Sequence, residues 1–309
     1  MRRALLLGLL GIVLVGVALL IWQARPGPTT RPADGRPPAR IVSLAPSVTE
    51  ILFAVGAGDR VVAVTDWCDY PPAAARCERV GGYIDFSIER VVALAPDLII
   101  GAHGIPKDRL ERLEALGFKV HAENPASYEE LIATIERIGR LVGAEKGARA
   151  CVARLRGEID DVTQRLEGLT GADRPRVMYG TWEAPVFVAG PGNFIDETIR
   201  LAGGANIAAD ADTPWPVGYS IERIVANDPE VIVRGFNPTT GLSMGQRAEA
   251  AEKLKTDPVW GKVSAVRNGR VIWMDENLLV RPGPRLALGL RELARHLHPD
   301  RFPPTETQP

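Results

Sequence analysis

Ser87 to Ile100 reads SIERVVALAPDLII, and Ser220 to Val233 reads SIERIVANDPEVIV; 8 of the 14 positions are identical at an offset of 133 residues. Each copy predicts a helix followed by a strand. Ser87 and Ser220 are N-cap residues, and Glu89 and Glu222 fall in the first turn, where the helix dipole favours a carboxylate. Pro96 and Pro229 stop the helix ahead of a short apolar run with the composition of a buried strand. A weaker echo aligns Thr49–Gly56 with Asp196–Gly203 at an offset of 147, in the same order along the chain. The repeats therefore divide the molecule into two similar lobes.

The sequence around the repeats alternates in the same way. In the first lobe, strands are expected near 40–44, 61–65, 97–100 and 119–121, with helices near 49–55 and 107–116. In the second, strands are expected near 176–179, 230–234 and 270–273, with a closing helix over 285–296. Such alternation predicts an α/β fold with a mainly parallel sheet in each lobe. Between the lobes, Val152, Leu155, Ile159, Val162, Leu166 and Leu169 step by three or four residues, which predicts one long rigid helix over 145–169. At 1.5 Å per residue it would extend about 37 Å. The expected organisation is an N-terminal lobe at 41–144, a bridging helix at 145–170 and a C-terminal lobe at 171–309, with a ligand cleft between the lobes at the strand ends.

Residues 1–40 have a different character. Arg2 and Arg3 precede an uncharged run from Ala4 to Trp22, long enough to read as an export signal peptide or a membrane anchor over residues 1–23. No cysteine precedes Cys68, which excludes lipoprotein attachment. Residues 24–40 are Pro-rich and read as an extended linker. The working part is thus expected outside the membrane, in the periplasm or on the cell-envelope exterior. The chain has 37 Lys and Arg against 38 Asp and Glu; removing the six basic residues and one acidic residue before Ile41 leaves 31 basic and 37 acidic, so nucleic acid is excluded as a partner. Three cysteines and four scattered histidines, with no CxxC, support neither a metal centre nor a redox dithiol. Cys68 and Cys77 stand close enough in a loop-rich stretch either to pair as a disulfide or to remain two thiols.

RIVSLAPSVTEILFAVGAGDRVVAV from Arg40, then TDWCDYPP, VGGYIDFSIERVVALAPDLIIG, DTPWPVGYSIERIVANDPEVIV and RPGPRLALGLRELARHL together resemble the substrate-binding proteins of iron-siderophore, haem and cobalamin ABC importers, over about residues 40–298. The DYPP and PWP segments look most like the periplasmic cobalamin binders. The resemblance implies a non-enzymatic, monomeric carrier that captures a corrinoid between two lobes and delivers it to a permease with its ATPase. It implies no cofactor beyond the bound ligand. By motif position, Pro46, Ser47, Trp67, Tyr70 and Tyr83 would face the cleft from the first lobe, and Trp182, Phe187, Trp215 and Arg281 from the second. Aromatic faces with a few donors suit a large, flat, mostly uncharged ligand. Where the cobalamin binders tend to place another aromatic, this chain has Gly101-Ala102-His103. Glu89 and Glu222 occupy the positions that dock onto permease arginines in such importers.

Haem or a ferric siderophore is the alternative ligand for the same fold, although an anionic chelate calls for more cleft arginines than this sequence offers. A remote alternative is a serine hydrolase. Gly241-Leu242-Ser243-Met244-Gly245 matches a nucleophile elbow, and Asp275 and His296 follow in triad order, but six residues separate the elbow from its strand and His296 falls in a helix pattern.

Overall fold

The computed structural model describes residues 36–214, 218–238 and 241–303. The expected N-terminal signal or anchor and Trp215 lie outside the described residues. Among the described residues, no helix is long and apolar enough to cross a membrane.

In chain order, the first half contains β1 (Ile41–Ser43), α1 (Pro46–Ala54), β2 (Val61–Val64), β3 (Glu78–Arg79), α2 (Ile88–Ala93), β4 (Leu98–Ala102), α3 (Lys107–Ala115), β5 (Val120–Glu123), α4 (Tyr128–Leu141) and α5 (Glu145–Arg165). The second half continues with β6 (Arg176–Tyr179), α6 (Phe194–Leu201), β7 (Ala205–Asn206), α7 (Ile221–Asn227), β8 (Val231–Phe236), α8 (Met244–Thr256), α9 (Ser264–Arg267), β9 (Val271–Asp275) and α10 (Leu286–Leu297). The first sheet has the order β3-β2-β1-β4-β5 and the second β7-β6-β8-β9. Every strand pairing in them is parallel.

The duplicated segment has the same geometry in both places. Ser87 caps α2 by accepting from the Arg90 amide, and Ser220 caps α7 by accepting from the Arg223 amide. The residue preceding each proline, Ala95 or Asp228, is left-handed with φ of 44° and 39°. Both are separated by the repeat offset of 133, so the turn that delivers each strand is itself repeated. Neither is glycine, and such a backbone persists only where the surrounding structure imposes it. The strands that follow, β4 and β8, each lie between two others in their sheet, which explains why both read as unbroken apolar runs.

The bridging helix ends at Arg165, four residues before the expected Leu169. Gly168, with φ of 80°, turns the chain, and Leu166 closes the buried side of the stripe as the helix C-cap. Along its length α5 packs on α4, α10 and α1. Gly147 permits the approach to α1, because a Cβ there would run into the Val55 carbonyl. Tyr128, at the start of α4, reaches from the first half to the second: its amide donates to Glu197 Oε2 at 2.8 Å, and its hydroxyl donates to the Leu286 carbonyl at 3.2 Å. One apolar cluster runs from Ile41 and Leu98 through Leu131, Ile135 and Leu155 to Leu290 and Leu293. Buried leucines of this kind stabilise by about 2 kcal/mol each, so the two halves share one core through these helices.

Of the two states that the sequence leaves open for Cys68 and Cys77, the structure has the two thiols; both, and Cys151, are free. Cys68 Sγ lies 3.2 Å from Thr65 Oγ1, whereas the Cys77 thiol donates to the Val61 carbonyl at 3.3 Å, so each sulfur is held by a different partner. The remote hydrolase reading is likewise corrected. The Ser243 hydroxyl caps α8 by accepting from the Gln246 amide at 3.3 Å, the Asp275 carboxylate accepts from the Asn277 amide at 2.9 Å, and His296 is inside α10.

Candidate ligand-binding cleft

A cavity of about 810 Å³ opens where the C-terminal ends of strands from both sheets converge. Its wall is assembled from the segments that follow them: Pro46 and Ser47 at the start of α1, Trp67 after β2, Tyr83 and Asp85 after β3, and His103 after β4. Glu123 and Asn124 at the end of β5, Asn237 after β8, and Glu276, Val280 and Arg281 after β9 complete it. Ligands bind at this end of parallel sheets because the side chains of many separate loops meet there.

Five of the nine residues expected in the cleft line this cavity: Pro46, Ser47, Trp67, Tyr83 and Arg281. Trp67 is 52% exposed, a large apolar surface left open to the cavity. The Tyr83 hydroxyl donates to the His103 carbonyl, which fixes its ring against the β4 loop, and burial pushes its ionisation above the ordinary range. Tyr70 does not line the cavity. The Arg285 guanidinium lies 3.9 Å from its ring centroid, in a cation–π contact that belongs to the junction of the two halves. Trp182 also stays out of the cavity. It packs edge-on against Trp273 at 5.4 Å, with the Arg234 guanidinium 5.1 Å from its ring centroid. Phe187 lines a smaller neighbouring cavity of about 210 Å³.

The floor between the halves is an ion-pair network that the sequence reading did not single out. Glu50 of α1 is 3% exposed and accepts two bonds from Arg285, at 2.9 and 2.6 Å. Arg281 lies 3.8 Å from the same carboxylate and pairs with Asp69 at 2.5 Å. Gly283 packs against the Glu50 side chain, so the Arg281-Pro282-Gly283-Pro284-Arg285 segment wraps around it. Burial pushes the Glu50 carboxyl up, and the two arginines draw it back. Against the upward push of partial burial, Arg281 holds Asp69 below the ordinary carboxylate range. A signal was present in the sequence: Glu50 is the one charged residue between Arg40 and Asp59, and a carboxylate inside an apolar helix demands a cationic partner.

Glu123 was also missed. Its side chain is buried beside the cavity and accepts from Arg137 at 2.9 and 2.7 Å and from the Thr134 hydroxyl at 3.0 Å, with His121 Nε2 at 2.7 Å. Burial alone would raise its pKa, but these bonds overcome it and hold the carboxyl at about 2. Of the charged groups in the cavity wall, Glu123 is paired with Arg137 and Arg281 with Asp69 and Glu50, which leaves the carboxylates of Asp85 and Glu276. No group of three or more metal-ligating side chains occurs among the described residues.

Glu89 and Glu222 sit at equivalent, exposed positions in the first turns of α2 and α7. Each is bonded by its N-cap serine, Ser87 at 3.0 Å and Ser220 in a short contact. Bonds from the Glu89 amide and Ser87 in one case, and from Ser220 and the Glu222 amide in the other, hold both carboxyls below the ordinary range.

The chain is similar to known proteins over most of its length. It is 35% identical over 271 residues to an uncharacterised ABC transporter substrate-binding lipoprotein of Bacillus subtilis, covering 86% of this chain and 82% of that protein. It is 33% identical over 267 residues to the vitamin B12-binding protein of Vibrio cholerae, covering 84% and 90%. Among solved structures it resembles the periplasmic vitamin B12 binding protein of Vibrio cholerae, at 30% identity and a TM-score of 0.69, covering 86% of this chain and 99% of that one. It also resembles the periplasmic heme-binding protein of Roseiflexus, at 26% identity and a TM-score of 0.73, covering 85% and 98%. The model of the periplasmic binding protein family matches residues 41–278, which span both sheets and most of the cleft wall; the chain belongs to this family of solute-binding, non-enzymatic proteins.

Proposed function

We propose that this protein is the substrate-binding component of an ABC importer, that its ligand is a corrinoid of the cobalamin type, and that the corrinoid is captured in the cleft and delivered to a membrane permease with its ATPase. The observation that carries the ligand assignment is the charge of the cavity wall. Asp85 and Glu276 face the cavity, Glu123 is neutralised by Arg137, and Arg281 is already paired with Asp69. A polyanionic ferric chelate would be repelled by such a wall, whereas a flat ligand with neutral amide arms donates N–H groups to carboxylates and lays its faces on apolar surface. Trp67, Ile84 and Val280, all exposed within the cavity, supply that surface. Likeness to vitamin B12-binding relatives supports the same ligand.

The rest of the assignment follows from this role. The N-terminal run exports the protein to the periplasm or the envelope exterior and either is removed or anchors it to the inner membrane. The lobes at 41–144 and 171–309 act as one monomeric carrier about the bridging helix at 145–170. Trp215 takes part in ligand binding from the second lobe. Glu89 and Glu222 dock onto permease arginines. Rim ion pairs of this kind set orientation and association rate, as a carrier that must release its partner requires.

Haem is the second reading, favoured by one observation: His103 and Tyr83 stand together at the cavity wall and are of the types that ligate haem iron. Gel filtration after incubation with cyanocobalamin or with haemin separates the two. Visible corrin absorbance eluting with the protein supports the corrinoid assignment. Co-elution of haemin alone overturns it.

A further inference from the structure

A smaller cavity of about 210 Å³ adjoins the main one, and Glu276 lines both, so the two form a continuous surface. The geometry points to a second subsite here, one that takes the pendant nucleotide of a complete corrinoid: a planar base, ribose hydroxyls and a phosphodiester. This rests on the corrinoid reading above and adds to it a determinant of which corrinoids are accepted.

The wall of this cavity is built rather than incidental. Phe187 is 45% exposed, yet its backbone is fixed: the Thr181 amide donates to the Phe187 carbonyl at 2.8 Å, and the Phe187 amide donates to Thr181 Oγ1 at 2.9 Å. Gly180 and Val188 form an antiparallel bridge beside it, and a Cβ at Gly180 would collide with the Phe187 carbonyl. An open aromatic face held by such a hairpin is pre-organised to stack on a planar ring. Arg234 supplies the positive charge. Trp182 packs against its guanidinium, and its protein partners there are weak: the Gly180 carbonyl at 3.4 Å and the exposed carboxylate of Glu183 at 3.2 Å, which an incoming phosphodiester would displace. Tyr179, whose ionisation burial pushes well upward, remains a hydroxyl donor at neutral pH. Glu276, the one carboxylate lining this small cavity, is placed to accept from ribose hydroxyls. Ring, cation and acceptor thus correspond to the three parts of a nucleotide.

The test compares two ligands on the full chain: cyanocobalamin, and dicyanocobinamide, a corrin that lacks the nucleotide. The wild-type protein is expected to prefer cyanocobalamin. Loss of one charge-assisted contact or one stacking face corresponds to about a tenfold change, so Arg234→Gln and Phe187→Ala should each lower the ratio of the two affinities by about that factor. Trp67→Ala, in the main cavity, should weaken both ligands and leave the ratio unchanged. Melting curves verify that each variant is folded. A wild-type protein that binds both ligands equally, or an unchanged ratio in folded Arg234→Gln and Phe187→Ala, overturns the subsite while leaving the corrinoid reading intact. A wild-type protein that binds neither ligand overturns both.

Discussion

Glu123 illustrates how a single side chain serves stability and the site together. Its carboxyl, held at about 2 in the folded protein against an ordinary 4.5, stabilises the fold fully above pH 4.5, and that contribution disappears as pH falls toward 2. Glu123→Gln should therefore cost up to about 2 kcal/mol at pH 7, allowing for water on the cavity side, and the difference from wild type should vanish near pH 2. Denaturant unfolding across that range measures it; a difference independent of pH would contradict the assignment of the bonds. Trp67 makes the complementary case. Trp67→Ala should weaken ligand binding about tenfold and leave the melting temperature nearly unchanged, because half the side chain is exposed. An unchanged affinity would remove it from the site. Trp67 and Tyr83 were legible in the sequence because Pro- and Gly-rich loops beside strand ends cannot bury an aromatic completely. Trp182 was not. Its position depends on Trp273 and Arg234, more than 50 residues away, and no local pattern records that they meet.

At the scale of elements, the duplicated helix-turn-strand was the most readable part of the chain, since its caps, proline and strand are all local signals. The left-handed residues at Ala95 and Asp228 could not be read, because neither is the glycine that normally marks such a backbone. Helix α4 was missed despite Ser127 and Glu130 at its start, whose side chains bond the amides of Glu130 and Ala126. The pairing of Glu50 with Arg285 spans 235 residues and is what joins α1 to the start of α10. Removing one partner of a buried pair leaves an uncompensated charge. Arg285→Leu should accordingly destabilise the protein by about 3 kcal/mol, and Arg285→Leu combined with Glu50→Leu should recover much of that loss. Unfolding curves of the single and double variants check this, and additive losses would contradict the coupling.

Across the whole molecule, the shared core through α4, α5 and α10 makes large lobe rotations costly, so capture should involve small adjustments at the cleft rather than wide closure. The parallel sheets, their order of duplication and the long helix were legible because each rests on periodicity or repetition. Which cavity forms, and which charges line it, was not legible, since Asp85, Glu123 and Glu276 come from separate segments whose convergence is a property of the tertiary fold. Outside the cleft, reversing Glu89 and Glu222 to Lys should impair uptake in cells while leaving ligand capture by the purified protein unchanged; normal uptake by that double variant would contradict the docking role. The central claim, that the cleft is built for a neutral corrinoid, is tested most directly by calorimetric titration of the protein with cyanocobalamin, with haemin and a ferric siderophore titrated in parallel. Saturable one-to-one binding of cyanocobalamin alone is the predicted result. A flat cyanocobalamin trace beside a clear haemin or siderophore isotherm would contradict it.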